Sequence, residues 1–308
     1  MKKSISLLLA GLLAGTVCAD TNWKAWVRPA ETVAEGENAS FTAEAKKKTG
    51  FSTRIKLENG NFYKVSFRLN FPGDAPASFK YGFYSPDLPL AFQEAPLAKG
   101  TVAPEFYLYA NKDSELWFRL YFTAQNQLKG TFSCPVIKKL SAEDVKKVVL
   151  DEHSDIPSNW FIPGWMQKAG LKLETVDAAD HIDEGKALKL TVPENYNRPD
   201  NAAIRSSALP LLPDTNYKIT VWIKGNSTGT VSSIGVDSWI GGGVKHYYAG
   251  GGVSVSTEWK KVQIKFRTPS LKEHPQLDYR VTRAKLGFRP NGGLTEVQFK
   301  EFSLEQEK

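Results

Sequence analysis

Strict alternation over Tyr217–Lys224 constrains this chain more than any other stretch. Tyr217, Ile219, Val221 and Ile223 fall on one side, and Lys218, Thr220, Trp222 and Lys224 on the other. Period-two alternation of this kind belongs to a strand with one buried face. The polar side carries a tryptophan. The same pattern occurs earlier, as Tyr63-Lys64-Val65-Ser66-Phe67-Arg68-Leu69, with Arg68 where the later copy has Trp222. Two copies of one central strand predict two copies of one β-domain.

Further matches run in the same order. Gly36–Phe41 parallels Gly185–Leu190, and Leu116–Arg119 parallels Leu286–Arg289. Phe132 and Cys134 parallel Val297 and Phe299. A chain of 308 residues, 41% apolar and 12% aromatic, suits one or two packed domains. Short alternating runs separated by turn signals such as Asn59-Gly60 predict an all-β protein of two tandem β-sandwich domains. We place a diverged sandwich at 20–140, a linker at 141–150 and a second sandwich at 151–308. Ser141–Asp144 has capping-box form, which predicts a short linker helix.

Residues 1–19 read as a signal peptide. Lys2 and Lys3 form its charged start, Ile5–Leu13 its apolar stretch and Val17-Cys18-Ala19 its cleavage site. The apolar run is too short for a transmembrane span. The expected location is secreted, that is, periplasmic or extracellular. Cleavage leaves Cys134 as the single cysteine, which excludes an internal disulfide and fits a small buried side chain. The net charge of +7 comes largely from scattered lysines, apart from Lys46-Lys47-Lys48. Such a balance suits anionic glycans or surfaces and equally suits a solvated face. No nucleic-acid motif is present, so no nucleic-acid partner is expected.

The second half resembles the carbohydrate-binding modules of families 4 and 9, which have the galactose-binding-like jelly roll. The resemblance rests on Gly164-Trp165, Gly185–Leu190, Leu209–Tyr217, the strand ending Trp222-Ile223-Lys224-Gly225, Glu258–Val262 and the closing Val297–Leu304. The first half reads as a diverged copy. The resemblance implies carbohydrate as the partner. Such modules often hold a structural calcium ion on acidic residues near the first and last strands. Here Lys300 stands where an acidic residue is usual, while Asp151, Glu152, Asp155 and Glu301 remain. No cofactor is predicted, and calcium stays open.

Sugar binding needs aromatic faces for the C–H surface of the ring and planar polar groups for its hydroxyls. Trp222, Trp239, His246, Tyr247, Tyr248, Arg205, Arg289 and Asn291 are the candidate ligand-binding residues. His246–Tyr248 lie between two triple-glycine runs, which permit close approach. Trp117 and Tyr121 share a strand face in the first half, as a second platform or as packing. Trp259 reads as packing. Catalytic signals fail. Gly225-Asn-Ser-Thr-Gly229 matches G-x-S-x-G, but strands flank it on both sides where a nucleophile elbow needs a following helix. His153, His181, His246 and His274 have no metal spacing. The expected function is a secreted non-catalytic carbohydrate-binding protein. The alternatives are an envelope protein with a protein partner, or a jelly-roll polysaccharide lyase or hydrolase.

Overall fold

The computed structural model describes residues 16–18, 24–27, 31–35, 38–73, 78–84, 91–95, 100–103, 105–133, 135–149, 160–181, 185–196, 202–240, 246–290 and 292–307. The first half holds β1 (Thr16–Cys18), β2 (Lys24–Val27), β3 (Glu31–Glu35), β4 (Asn38–Ala43), β5 (Lys48–Leu57), β6 (Asn61–Ser66) and β7 (Leu69–Phe71). It continues through β8 (Ser78–Tyr84), β9 (Ala91–Ala95), β10 (Gly100–Val102), β11 (Glu105–Ala110), β12 (Ser114–Thr123), β13 (Leu128–Ser133) and β14 (Val136–Leu140). The second half holds β15 (Lys147–Val149), β16 (Trp160–Phe161), the short α1 (Gly164–Gln167), β17 (Lys172–Asp177), β18 (Lys186–Thr191) and β19 (Ala202–Ala208). It closes with β20 (Asn216–Gly225), β21 (Gly229–Ile240), β22 (His246–Val255), β23 (Lys260–Arg267), β24 (Leu277–Arg289) and β25 (Glu296–Gln306).

Sheet order makes the duplication explicit. The sheet β2-β5-β12-β8-β9 in the first half repeats as β16-β19-β24-β21-β22 in the second. The facing sheet of the second half, β17-β18-β25-β20-β23, is divided in the first half into β3-β4-β13-β7-β10 and β14-β6-β11. β1 pairs β14 as β15 pairs β25. Proline explains the division: Pro135 between β13 and β14 cannot donate to a ladder. The second copy crosses the same point with a register shift between Thr220 and Trp222, where Glu301 takes a φ of 55°.

The ladders also correct one of the repeat matches. Phe132 pairs Ala39 and Leu69, while Phe299 pairs Leu188 and Ile223. Phe132 therefore corresponds to Phe299, not Val297. The expected match slips by two residues, which returns every side chain to the same face and so leaves no trace in the hydrophobic pattern.

Each half has its own core. Phe41 stacks on Phe122 at 4.8 Å and tilts against Phe51 and Phe132, so the first core is aromatic. The second is mainly aliphatic, with Ile219, Val221, Ile223, Leu286 and Val297 fully buried. Each such side chain contributes about 1.5–3 kcal/mol. Trp160, 1% exposed, closes this core edge-on to Phe302 at 5.2 Å. β11 packs across β19 and β24, joining the halves. There the Asn111 amide donates to the Leu277 carbonyl at 3.1 Å and accepts from the Tyr279 N–H at 3.2 Å.

The predicted linker helix is absent. Ser141 and Asp144 do make capping contacts, with the Asp144 carboxylate bonded to the Ser141 hydroxyl at 2.8 Å. The chain forms a turn there and enters β15 at Lys147. Too few residues intervene for a helix to recover its nucleation cost.

Candidate functional site

The candidate residues of the second half divide between its two sheets. Four of them come together through backbone register. In the β21–β22 hairpin Trp239 stands opposite His246, Ser238 opposite Tyr247 and Asp237 opposite Tyr248. The side chains of Trp239 and His246–Tyr248 lie outside the described residues, as does Asn291.

Beside this hairpin end, Arg205 on β19 reaches over β24 to Asp237 on β21, with Nε 2.9 Å from Oδ2. The Asp237 side chain is 3% exposed. Arg283, the ladder neighbour of Asp237 on β24, lies with its guanidinium 5.3 Å from the Phe161 ring centroid. A buried carboxylate needs such a partner, because an unpaired charge there is costly. Asp237 and Arg283 were not among the expected residues. Asp237 is the single acidic residue of an otherwise apolar and small strand, and that was its signal.

Arg289 is exposed and pairs in register with Thr230, at the opposite end of β21 from Trp239. Nine residues of strand separate the two rungs by about 30 Å. Trp222 is also set apart, on the outer face of the other sheet. His181 stands edge-on between its ring, at 4.9 Å, and that of Trp259, at 5.3 Å. The Trp259 indole donates to the Ala179 carbonyl at 3.0 Å, so the Ala178–His181 turn is fastened over both rings. Beneath it, the buried Lys300 ammonium lies 2.9 Å from Nδ1 of His181.

That same ammonium speaks against calcium. Lys300 Nζ is 3.7 Å from Glu301, where such an ion would need oxygen ligands. Asp151, Glu152 and Asp155 lie outside the described residues, and no group of three or more His, Cys, Asp or Glu converges among the described ones. Ser227 sits in the short link between β20 and β21, its hydroxyl 3.3 Å from the Gly292 carbonyl, so the strand–turn–helix of a nucleophile elbow is not formed.

The first half carries a different surface, on the outer face of β5, β12 and β8. Trp117 stands opposite Arg54 and Tyr84, Arg119 opposite Ser52 and Gly82, and Tyr121 opposite Gly50 and Lys80. Three cations lie over three rings. Arg54 is 4.6 Å from the Trp117 centroid, Arg119 3.7 Å from Tyr84 and Lys48 4.6 Å from Tyr121. Trp117, Arg119 and Tyr121 are all half-buried. Burial pushes the Tyr121 phenol up, against the lowering effect of its hydrogen bond with Arg119.

These sheets define an all-β protein of two tandem β-sandwiches of jelly-roll type. No family model matches the chain, and no curated protein matches it. Among solved structures it is similar to the tandem family 22 carbohydrate-binding modules of Xyn10C from Paenibacillus barcinonensis. There the identity is 14%, over 97% of this chain and 95% of that one, with a TM-score of 0.40. It is similar to a family 4 carbohydrate-binding module at 12% identity, over 54% of this chain and all of that one, with a TM-score of 0.36. A third match is the N-terminal cellulose-binding domain of β-1,4-glucanase C from Cellulomonas fimi, at 13% identity over 52% and 98%, with a TM-score of 0.35. The architecture rests on the chain's own ladders.

Proposed function

We propose that this chain is an exported, non-catalytic carbohydrate-binding protein. The observation that carries the reading is the β21–β22 register, which gathers Trp239, His246, Tyr247 and Tyr248 on three successive rungs beside the Arg205–Asp237 pair. Aromatic residues grouped with a fixed guanidinium suit a sugar. The rings take its apolar face, and oriented polar groups take its hydroxyls. In this reading Trp239, His246 and Tyr248, whose ladder positions share a face with Asp237, take the sugar, and the ion pair holds Arg205 in place. Arg289 belongs to a second contact at the far end of the same sheet, where it would touch only an extended chain. Trp222 is a separate candidate on the opposite sheet.

Affinity electrophoresis of the full chain through gels containing soluble polysaccharides tests the reading. Retardation by at least one polymer, reduced about tenfold or more in apparent affinity by Trp239→Ala, is expected. Equal retardation of the variant and the parent would exclude this hairpin as the binding surface.

A further inference from the structure

We propose that the outer β5–β12–β8 face of the first sandwich is a second, independent site, and that it takes a uronate-bearing polysaccharide. It extends the carbohydrate-binding reading to a surface of the first sandwich, built from other strands than the β21–β22 hairpin.

Charge is the first reason. The outward positions of β5 and β12 hold Lys48, Arg54, Lys56 and Arg119 against one carboxylate, Glu115, which Arg54 pairs at 2.8 Å. Ring spacing is the second. Trp117 and Tyr121 lie four residues apart on one strand face, about 13 Å, with Arg119 between them. Shape is the third. Gly50, Ser52 and Gly82 occupy three of the four rung positions beside Arg119 and Tyr121, and Lys80 stands at the fourth, opposite Tyr121. A pyranose seated on either ring would present its rim to Arg119. The planar fork of a guanidinium matches a carboxylate at that rim. Tyr84, 3.7 Å away, and the bond to Tyr121 preorganise that fork.

Isothermal titration of the full chain with polygalacturonate, with neutral xylan and dextran sulfate as comparisons, tests the proposal. The expected result is saturable binding of polygalacturonate that weakens steeply from low to high salt, since exposed charges are screened. Arg119→Ala should lose about tenfold or more in affinity. Lys48→Gln with Lys56→Gln, both exposed positions that leave folding intact, should lose affinity while keeping the unfolding midpoint. Binding of xylan or dextran sulfate in preference to polygalacturonate would overturn the uronate assignment. If Trp239→Ala abolishes binding of every polymer while Arg119→Ala abolishes none, the second site is refuted and the carbohydrate reading stands. If no polymer binds at all, both fall.

Discussion

The hydroxyl of Tyr217 accepts the backbone N–H of Leu212 at 3.0 Å, and the hydroxyl of Tyr63 accepts that of Glu58 at 2.9 Å. Both tyrosines open the central strand of their sandwich, and both reach back five residues to tie down the incoming loop. Burial pushes the Tyr217 phenol up to about 12, against the lowering effect of the Leu212 N–H. A raised value means that the folded state favours the neutral phenol. The associated stability is therefore complete below pH 10, the ordinary value, and is lost as pH rises toward 12. Its upper bound is about 2–3 kcal/mol. Denaturant titrations from pH 9 to 12 should show this fall, and Tyr217→Phe should flatten it while costing about 1 kcal/mol at neutral pH.

Gly130 tests the aromatic core. A Cβ there would lie 2.8 Å from two ring carbons of Phe41 and 3.1 Å from the Asn70 carbonyl. Phe41 cannot swing away, because it stacks on Phe122. Gly130→Ala should destabilise the first sandwich by about 1–3 kcal/mol, read as a lowered unfolding midpoint.

Asn111 joins the two halves through both ends of its amide. Asn111→Ala leaves the Leu277 carbonyl and the Tyr279 N–H without that partner, at a cost of about 1–3 kcal/mol. Calorimetry should show the loss together with a wider separation of the two unfolding transitions. An unchanged trace would mean that the contact does not couple the sandwiches.

Trp222 is held by packing as well as by position. Trp222→Ala removes the ring against which His181 stands, and should lower stability by about 1–3 kcal/mol. Thermal unfolding checks this. An unaltered midpoint would point to a ring kept for a ligand.

The duplicated strand plan was legible because alternation is a local property: Tyr63–Leu69 and Tyr217–Ile223 carry it without help from their neighbours. The register of Phe132 was not, since a slip of two residues conserves the face on which every side chain falls. The hairpin residues were legible as aromatics between glycines. The distance from Trp239 to Arg289 was not, because strand length decides it. Asp237 and Arg283 escaped notice because a charge inside a strand shows its partner only after the sheet is assembled. The Trp117–Tyr121 face was visible as two rings on one strand. The cations over those rings come from β5 and from Arg119, and only the ladders bring Arg54 opposite Trp117 and Arg119 beside Tyr84.

Isothermal titration of the folded full chain against a panel of neutral and acidic polysaccharides bears most directly on the central claim. The account predicts saturable binding to at least one polymer, lost on Trp239→Ala or, for a uronate polymer, on Arg119→Ala. Heats indistinguishable from dilution for every polymer, with the protein folded by circular dichroism, would contradict it.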